Sequence, residues 1–126
     1  MNIATKLQKL KSSNQNEADE ALSQLNDHFY FGQAMTNEDF LLVVKTLIEM
    51  IINQHHSLFE TDLLALLESN LYSNGEKVVE PDVFKTAIQS IANTKSKVFF
   101  ELLKPFKNSP AFEEELKAHF DIVERN

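Results

Sequence analysis

Cysteine and tryptophan are absent from this sequence of 126 residues, and glycine and proline are scarce, with two and three copies. Without cysteine the chain has no disulfide framework, no thiol nucleophile and no cysteine-based zinc site. So few turn-forming residues argue against a β-sandwich or barrel, whose many turns use glycine and proline. No stretch approaches the roughly 18 apolar residues of a membrane span, and the N-terminal residues lack the apolar core of a signal peptide. We therefore expect a soluble, cytoplasmic protein.

Negative charge is concentrated in one part of the chain. Residues 1–11 hold three lysines and no acid, residues 12–76 hold eleven acids and one lysine, and residues 77–126 hold eight acids and eight basic residues. The three segments therefore carry +3, −10 and 0, which gives the net charge of −7. This asymmetry predicts a flank that attracts a basic partner and disfavours nucleic acid, which needs clustered lysine and arginine. The alternative is that acids on solvated helix faces simply keep the protein in solution.

Apolar residues recur at helical spacing along nearly the whole chain. Thr36 can cap the helix that follows it, and Ser57 with Glu60 forms a capping box for the next one, whose buried side begins with Phe59. Asn74–Gly75 ends that helix, and Pro81 suits the first position of another. We predict a loop over residues 28–35. The predicted helices cover about residues 3–11, 16–28, 36–53, 57–75, 81–93, 98–106 and 109–126.

One segment occurs twice. Residues 44–53, VKTLIEMIIN, return forty positions later as FKTAIQSIAN, with five identities in ten and the same offset at Leu63/Leu103. A period of this length is typical of stacked helical hairpins of the HEAT or armadillo kind. We predict one all-α domain, residues 1–126, built as a right-handed stack of antiparallel hairpins with about six to seven helices. The repeat units are 36–75 and 80–107, with 1–35 and 108–126 as capping helices. A non-repetitive bundle with a chance match is the alternative.

The arrangements that carry catalysis or bind metals are missing from the sequence. His56 with Glu60, and Glu115 with His119, stand four apart, but a helical metal site needs further ligands on facing helices. No phosphate-binding glycine loop and no nucleophile elbow occur. We predict no metal, no cofactor, no catalytic residue and no enzymatic activity.

Aromatic residues provide candidate contacts for another macromolecule. Tyr72 lies with Glu68 on the predicted solvent stripe of its helix, where tyrosine suits an interface anchor, although it could equally cover the edge of the core. The run Phe29–Phe31 more often plugs a gap between helices, yet it could leave one ring for a partner.

A small, acidic, cysteine-free chain of helical repeats resembles the immunity proteins of bacterial contact-dependent inhibition and related polymorphic toxin systems. The resemblance rests on the hairpins VKTLIEMIIN…SLFETDLLALL and FKTAIQSIAN…VFFELLKPF, which cover about half of the chain, and it carries no signature motif. It implies that the chain binds and neutralises a cognate toxin domain, with a basic ribonuclease favoured, inside the producing cell. A helical-repeat adaptor that binds a partner helix or peptide through an apolar groove is the alternative.

Independent of this resemblance, a nuclease must present a basic cleft, and an acidic scaffold would be steered to it and could occlude it. The prediction is therefore a protein partner, with no nucleic acid or membrane bound directly and a monomeric state favoured. The residues predicted to contact the partner are the acids Glu17, Glu20, Glu38, Asp39, Glu49, Glu60, Asp62 and Glu68 and the aromatic anchors Tyr30 and Tyr72.

Overall fold

A computed structural model describes residues 2–31, 35–53, 58–75 and 79–106, together with residues 114 and 118. These residues form helices and no strand, which confirms the predicted all-α class. The α-helices of this part of the chain are α1 (Ile3–Leu10), α2 (Gln15–Tyr30), α3 (Asn37–Asn53), α4 (Glu60–Asn70), α5 (Pro81–Ala92) and α6 (Phe100–Leu103). The predicted cap Ser57 lies outside the described residues. So does the predicted helix over residues 109–126, except for residues 114 and 118.

Short polar side chains begin several of these helices. Asn2, Asn14 and Thr36 each accept a hydrogen bond from the backbone N–H three residues later, at 3.0, 3.1 and 3.0 Å. Each bond satisfies one of the amide groups that lack a partner at a helix start. The predicted cap Thr36 is thereby confirmed. Helix α4 differs, because its N-terminal flanking residue is Phe59, which makes no capping bond through its side chain.

Three predicted boundaries are wrong. Helix α4 begins at Glu60 with Phe59 as its N-cap residue, so Glu60 is the first helical residue and not the third, as the predicted capping box requires. Helix α2 continues to Tyr30 through residues predicted as loop, because Phe29 lies four residues after Leu25 and both side chains are fully buried on the same helix face. The single helix predicted over residues 98–106 is instead broken into the 3₁₀ turn Lys97–Phe99, α6 and the 3₁₀ turn Lys104–Phe106. Pro105 explains the second break, since proline has no backbone N–H to donate to the helix, although Lys104 before it keeps the α conformation.

The chain divides into two compact units, Met1–Glu80 and Pro81–Asn126. In the first unit α1 packs against α2 and α3, and α4 packs against α2 and α3, so that the four helices form a closed ring of neighbours. The core between them is apolar. Its largest fully buried side chains are Phe29, Phe40, Leu10, Leu25, Leu47, Ile51, Leu63, Leu66, Leu67 and Leu71.

Successive helices of the first unit run in opposite directions. The amide of Asn70 at the end of α4 donates to the carbonyl of Phe40 at the start of α3, at 3.5 Å, so this pair is antiparallel. Lys11, which follows α1, lines a shallow cavity with Met50 and Asn53 near the end of α3, so α1 and α3 run the same way. Because α2 reverses the direction of α1, helices α2 and α4 are also parallel neighbours.

In the second unit the described residues form α5 and the interrupted helical segment that follows it. The rings of Phe84, early in α5, and Phe106, at the end of that segment, meet edge to face with centroids 5.5 Å apart. The chain therefore returns alongside α5, as predicted for a helical hairpin. The predicted stacking of this hairpin on the earlier one stays a prediction.

Candidate partner-binding surface

Helices α2 and α4 carry acids and no basic residue other than a buried histidine. Residues 15–30 hold four acids and residues 60–70 hold three, with no lysine or arginine in either range, which gives seven negative charges. The opposite pair, α1 with Lys11 and α3, holds four lysines and three acids and sums to +1. We call the surface of α2 and α4 the acidic side. Its acids are Glu17, Asp19, Glu20, Asp27, Glu60, Asp62 and Glu68, all exposed except the half-buried Glu60.

The structure divides the ten predicted contact residues between two sides of the first unit. Seven lie on the acidic side or at its ends, whereas Glu38, Asp39 and Glu49 lie on α3 in the other helix pair. Glu49 borders the cavity that Lys11 also lines. The seven on the acidic side are Glu17, Glu20, Tyr30, Glu60, Asp62, Glu68 and Tyr72.

Along the helix axes the acidic side has two distinct ends. Since α2 and α4 are parallel, their N-terminal ends lie together, and so do their C-terminal ends. A helix of the length of α2 spans about 24 Å. Glu17, Glu60 and Asp62 therefore belong to one end, and Tyr30, Glu68 and Tyr72 to the other.

At the N-terminal end of the acidic side, local helix stability explains the acids. Glu17, Glu60 and Asp62 all lie in first helical turns, where a negative charge complements the positive end of the helix dipole. The hydroxyl of Ser12 also donates to Oε2 of Glu17 at 3.5 Å. These acids would be favourable there even in a protein that binds nothing.

At the C-terminal end the helix dipole gives no such explanation. Asp27 is in the last turn of α2, and Glu68 is in the last turn of α4 before a π-helical segment, Leu71–Gly75, continues it. A carboxylate near the negative end of a helix dipole is unfavourable, and lysine or arginine is the usual occupant. Asp27 was not among the predicted contact residues. The signal that could have identified it is the absence of any lysine or arginine from residue 12 to residue 44.

The same end exposes aromatic rings. Phe29 is fully buried, so the expectation that the run Phe29–Phe31 fills a gap between helices holds for that residue alone. Tyr30 and Phe31 are 80% and 70% exposed, and their rings meet edge to face with centroids 5.2 Å apart. Tyr72, in the π segment, is 45% exposed. Phe31 is not among the ten predicted contact residues, because its exposure depends on where α2 ends.

The same helical segments hold buried polar groups. Asn74, in the π segment, donates to the side-chain oxygen of Asn70 at 2.9 Å, and both residues are almost inaccessible to water. The Oδ1 atom of Asn74 and the Nε2 atom of His28, in the last turn of α2, are buried without a hydrogen-bond partner. Leaving a buried polar atom unpaired costs about 1–3 kcal/mol. This end of the unit is thus less stable than a fully satisfied one would be.

We call this region, formed by Asp27, Tyr30, Phe31, Glu68 and Tyr72, the aromatic end. Within the described residues no three histidine, aspartate or glutamate side chains converge to hold a metal ion. The shallow cavity of about 170 Å³ between α1 and α3 is lined by Lys11, Glu49, Met50 and Asn53. No helix in the described part of the chain is long and apolar enough to cross a membrane.

No protein-family model matches the chain, and neither curated proteins nor solved structures give a match.

Proposed function

We propose that this chain is a non-enzymatic inhibitor, the immunity protein of a bacterial toxin–immunity pair, which neutralises a basic toxin domain by covering it. A nuclease is the toxin class proposed, with a ribonuclease favoured. The observation that supports this most is the acidic side, on which two parallel helices present seven acids without one lysine or arginine. The two sides that include α1 lack such an excess, and so does the second unit, whereas the side of α3 and α4 holds six acids and one lysine.

The physical basis is electrostatic complementarity. A nuclease needs a cleft rich in lysine and arginine to hold the phosphates of its substrate. A rigid helical surface with many carboxylates would be steered toward that cleft and would occupy it in place of the phosphates. Residues 81–126 hold seven acids and seven basic residues, so this unit adds no net attraction. Inhibition would follow from occlusion alone and requires no chemistry by this chain.

The test uses a defined probe. If the gene directly upstream encodes a large secreted protein, its C-terminal domain is expressed and its association rate with this protein is measured as salt is raised. We expect a steep fall in the association rate, because steered encounters weaken as ionic strength screens the charges. Coexpression with this protein should also rescue cells from the toxicity of that domain.

Charge-reversal variants with a matched control test which acids raise the association rate. Changing Asp19, Glu20 and Asp62 to lysine should lower the association rate about 10- to 100-fold, since these acids lie on the acidic side. The control changes three exposed acids of the second unit, Asp82, Glu101 and Glu114, to lysine and alters the net charge equally. Equal losses for the two triple variants, or an association rate indifferent to salt, would contradict the proposal.

A second candidate, an adaptor that binds a partner helix through an apolar surface, is favoured by exposed apolar side chains. Ile52 is 50% and Leu42 36% exposed on α3, away from the acidic side. Such a partner would bind with little dependence on salt, because burial of apolar surface drives the association. Binding that is lost on changing Leu42 to serine, and that survives the triple reversal on the acidic side, would identify this function instead.

A further inference from the structure

Three features of the aromatic end each lower the stability of the first unit. Asp27 lies near the negative end of the α2 dipole, three rings are exposed to water, and two polar atoms of the same helical segments, Nε2 of His28 and Oδ1 of Asn74, are buried without partners. The opposite end of the same helices has favourable acids and a capping asparagine, Asn14, and it exposes one ring, Phe59, where the aromatic end exposes three. Regions that sacrifice stability in this way are characteristic of functional sites. The comparison of the two ends therefore assigns recognition to the aromatic end.

The same pair of residue types occurs on both helices at this end. Asp27 stands four residues before Phe31 and three before Tyr30, and Glu68 stands four residues before Tyr72. Side chains three or four apart on a helix are neighbours, so a carboxylate lies beside an exposed aromatic ring on α2 and again on α4. Because α2 and α4 are parallel neighbours, the two pairs lie at one end of the acidic side.

A carboxylate beside an aromatic face attracts one kind of group in particular. The face of the ring is the negative part of its quadrupole and attracts a cation. The guanidinium of arginine is planar, stacks on rings and offers several N–H donors to a carboxylate, whereas the ammonium of lysine is compact and more strongly hydrated. Tyr30 and Phe31 are perpendicular to each other at 88°, so a planar guanidinium can stack on one of the two rings.

We infer that the aromatic end is the docking point for an arginine-bearing segment of the partner. The guanidinium stacks on one ring of the Tyr30–Phe31 pair and forms hydrogen bonds to Asp27, and the pair Glu68–Tyr72 receives a second cationic side chain. This inference rests on the proposed function in taking the partner to be a basic protein domain. A second copy of this chain fits less well, because its acidic side would repel this one, and nucleic acid is disfavoured for the same reason.

Intrinsic tyrosine fluorescence reports on binding at this site. The chain contains no tryptophan and two tyrosines, Tyr30 and Tyr72, and both lie at the aromatic end. Tyrosine fluorescence therefore follows binding here and nowhere else in the protein. Titration of the full chain with a nona-arginine peptide at low salt should change this fluorescence to saturation. A nona-lysine peptide of the same charge should bind at least about fivefold more weakly, since it cannot stack or donate as a fork.

Matched variants test the residues. Changing Phe31 to serine should weaken nona-arginine binding about five- to tenfold while keeping both tyrosines, because it removes one ring of the perpendicular pair. The control is the change of Phe59 to serine, which removes a ring that is also 70% exposed but belongs to the N-terminal end. Changing Asp27 to asparagine and Glu68 to glutamine should reduce the difference in affinity between the nona-arginine and nona-lysine peptides. All variants alter exposed residues, and circular dichroism checks that each one folds.

The outcomes separate this inference from the proposed function. Equal binding of the two peptides, or equal losses for the Phe31 and Phe59 variants, would overturn the inference. So would self-association that the Phe31 variant abolishes, since the occupant would then be a second copy. Suppose that the association rate with the toxin domain falls in the Asp19, Glu20 and Asp62 variant, but that the affinity is unchanged in the Phe31 and Asp27 variants. The inference then fails and the proposed function stands. Selective binding of nona-arginine with no affinity for a basic toxin domain would reject the function and retain the site.

Discussion

The hairpin of α3 and α4 and the hairpin that begins with α5 share a sequence pattern but differ in how they use it. Val44, Leu47 and Ile51 of α3 are buried, and so are their counterparts forty residues later, Phe84, Ala87 and Ile91. The two lysines at 45 and 85 are exposed in both copies. The repeat thus preserves the phase of the helix, meaning which residues point toward the core.

The buried face is nevertheless rotated about the helix axis between the copies. Helix α3 buries Thr46 and exposes Ile52, whereas α5 exposes Thr86 and buries Ala92. A helix buries the residues that meet its neighbours, and α3 lies between α1 and α4. The comparison teaches that a repeated pattern selects a helix face only approximately, and that the packing partners decide its edges.

Charge separates the two copies further. Residues 37–70 hold six acids and one lysine, whereas residues 81–106 hold two acids and four lysines. Since exposed positions are under little constraint from packing, two repeats with a common core are free to acquire opposite charge. The first copy could therefore become part of a recognition surface while the second kept only the core pattern.

The largest expected effect contrasts two phenylalanines at equivalent positions. Phe99 is fully buried, and changing it to serine should lower the free energy of unfolding by about 3–5 kcal/mol through the cavity and the lost apolar contacts. Phe59 was predicted to be buried and is 70% exposed in the N-cap position of α4, where it makes no capping bond. Changing Phe59 to serine should raise the free energy of unfolding by about 0.5–1 kcal/mol, because serine caps a helix. Urea unfolding measures both values, and a loss at Phe59 as large as that at Phe99 would show that the two copies are more alike than described here.

A set of four aspartate substitutions tests the rotation of the buried face. Thr46→Asp and Ala92→Asp bury a carboxylate and should each lower the free energy of unfolding by about 3 kcal/mol. Thr86→Asp and Ile52→Asp place it in water and should change that free energy by about 0.5 kcal/mol or less. Thermal unfolding of the four variants ranks them directly. Similar losses at Thr46 and Thr86 would mean that α3 and α5 bury the same face.

The smallest expected effect compares the two ends of α2. Glu17 lies in its first turn and Asp27 in its last. Changing Glu17 to glutamine should lower the free energy of unfolding by a few tenths of a kcal/mol, and changing Asp27 to asparagine should raise it by a similar amount. Both differences should shrink when salt is added, since exposed charges are screened. A loss of stability in the Asp27 variant would remove one of the three arguments for recognition at the aromatic end.

The helices and most of their core residues could be predicted from the sequence because they depend on local chemistry. Thr36 caps α3, Pro81 begins α5, and Leu63 with Leu103 occupies buried positions forty residues apart, all as predicted. Each of these features follows from side chains within a few residues of one another. The burial of Phe59 and the continuous helix at residues 98–106 were predicted from the same spacing and are wrong. Local spacing carries no information about which element packs beside the end of a helix.

By itself the sequence determined an all-α chain, the phase of its helices and the excess of acids before residue 77. Tertiary packing placed α2 beside α4, and this pairing put five of the eight predicted acids on one side and left Glu38, Asp39 and Glu49 on another. The same pairing placed Tyr30, Phe31 and Tyr72 at one end. The physical reason is that spacing along a chain fixes which residues share one helix face, whereas the neighbour of that face is chosen by contacts between residues some 30–45 positions apart.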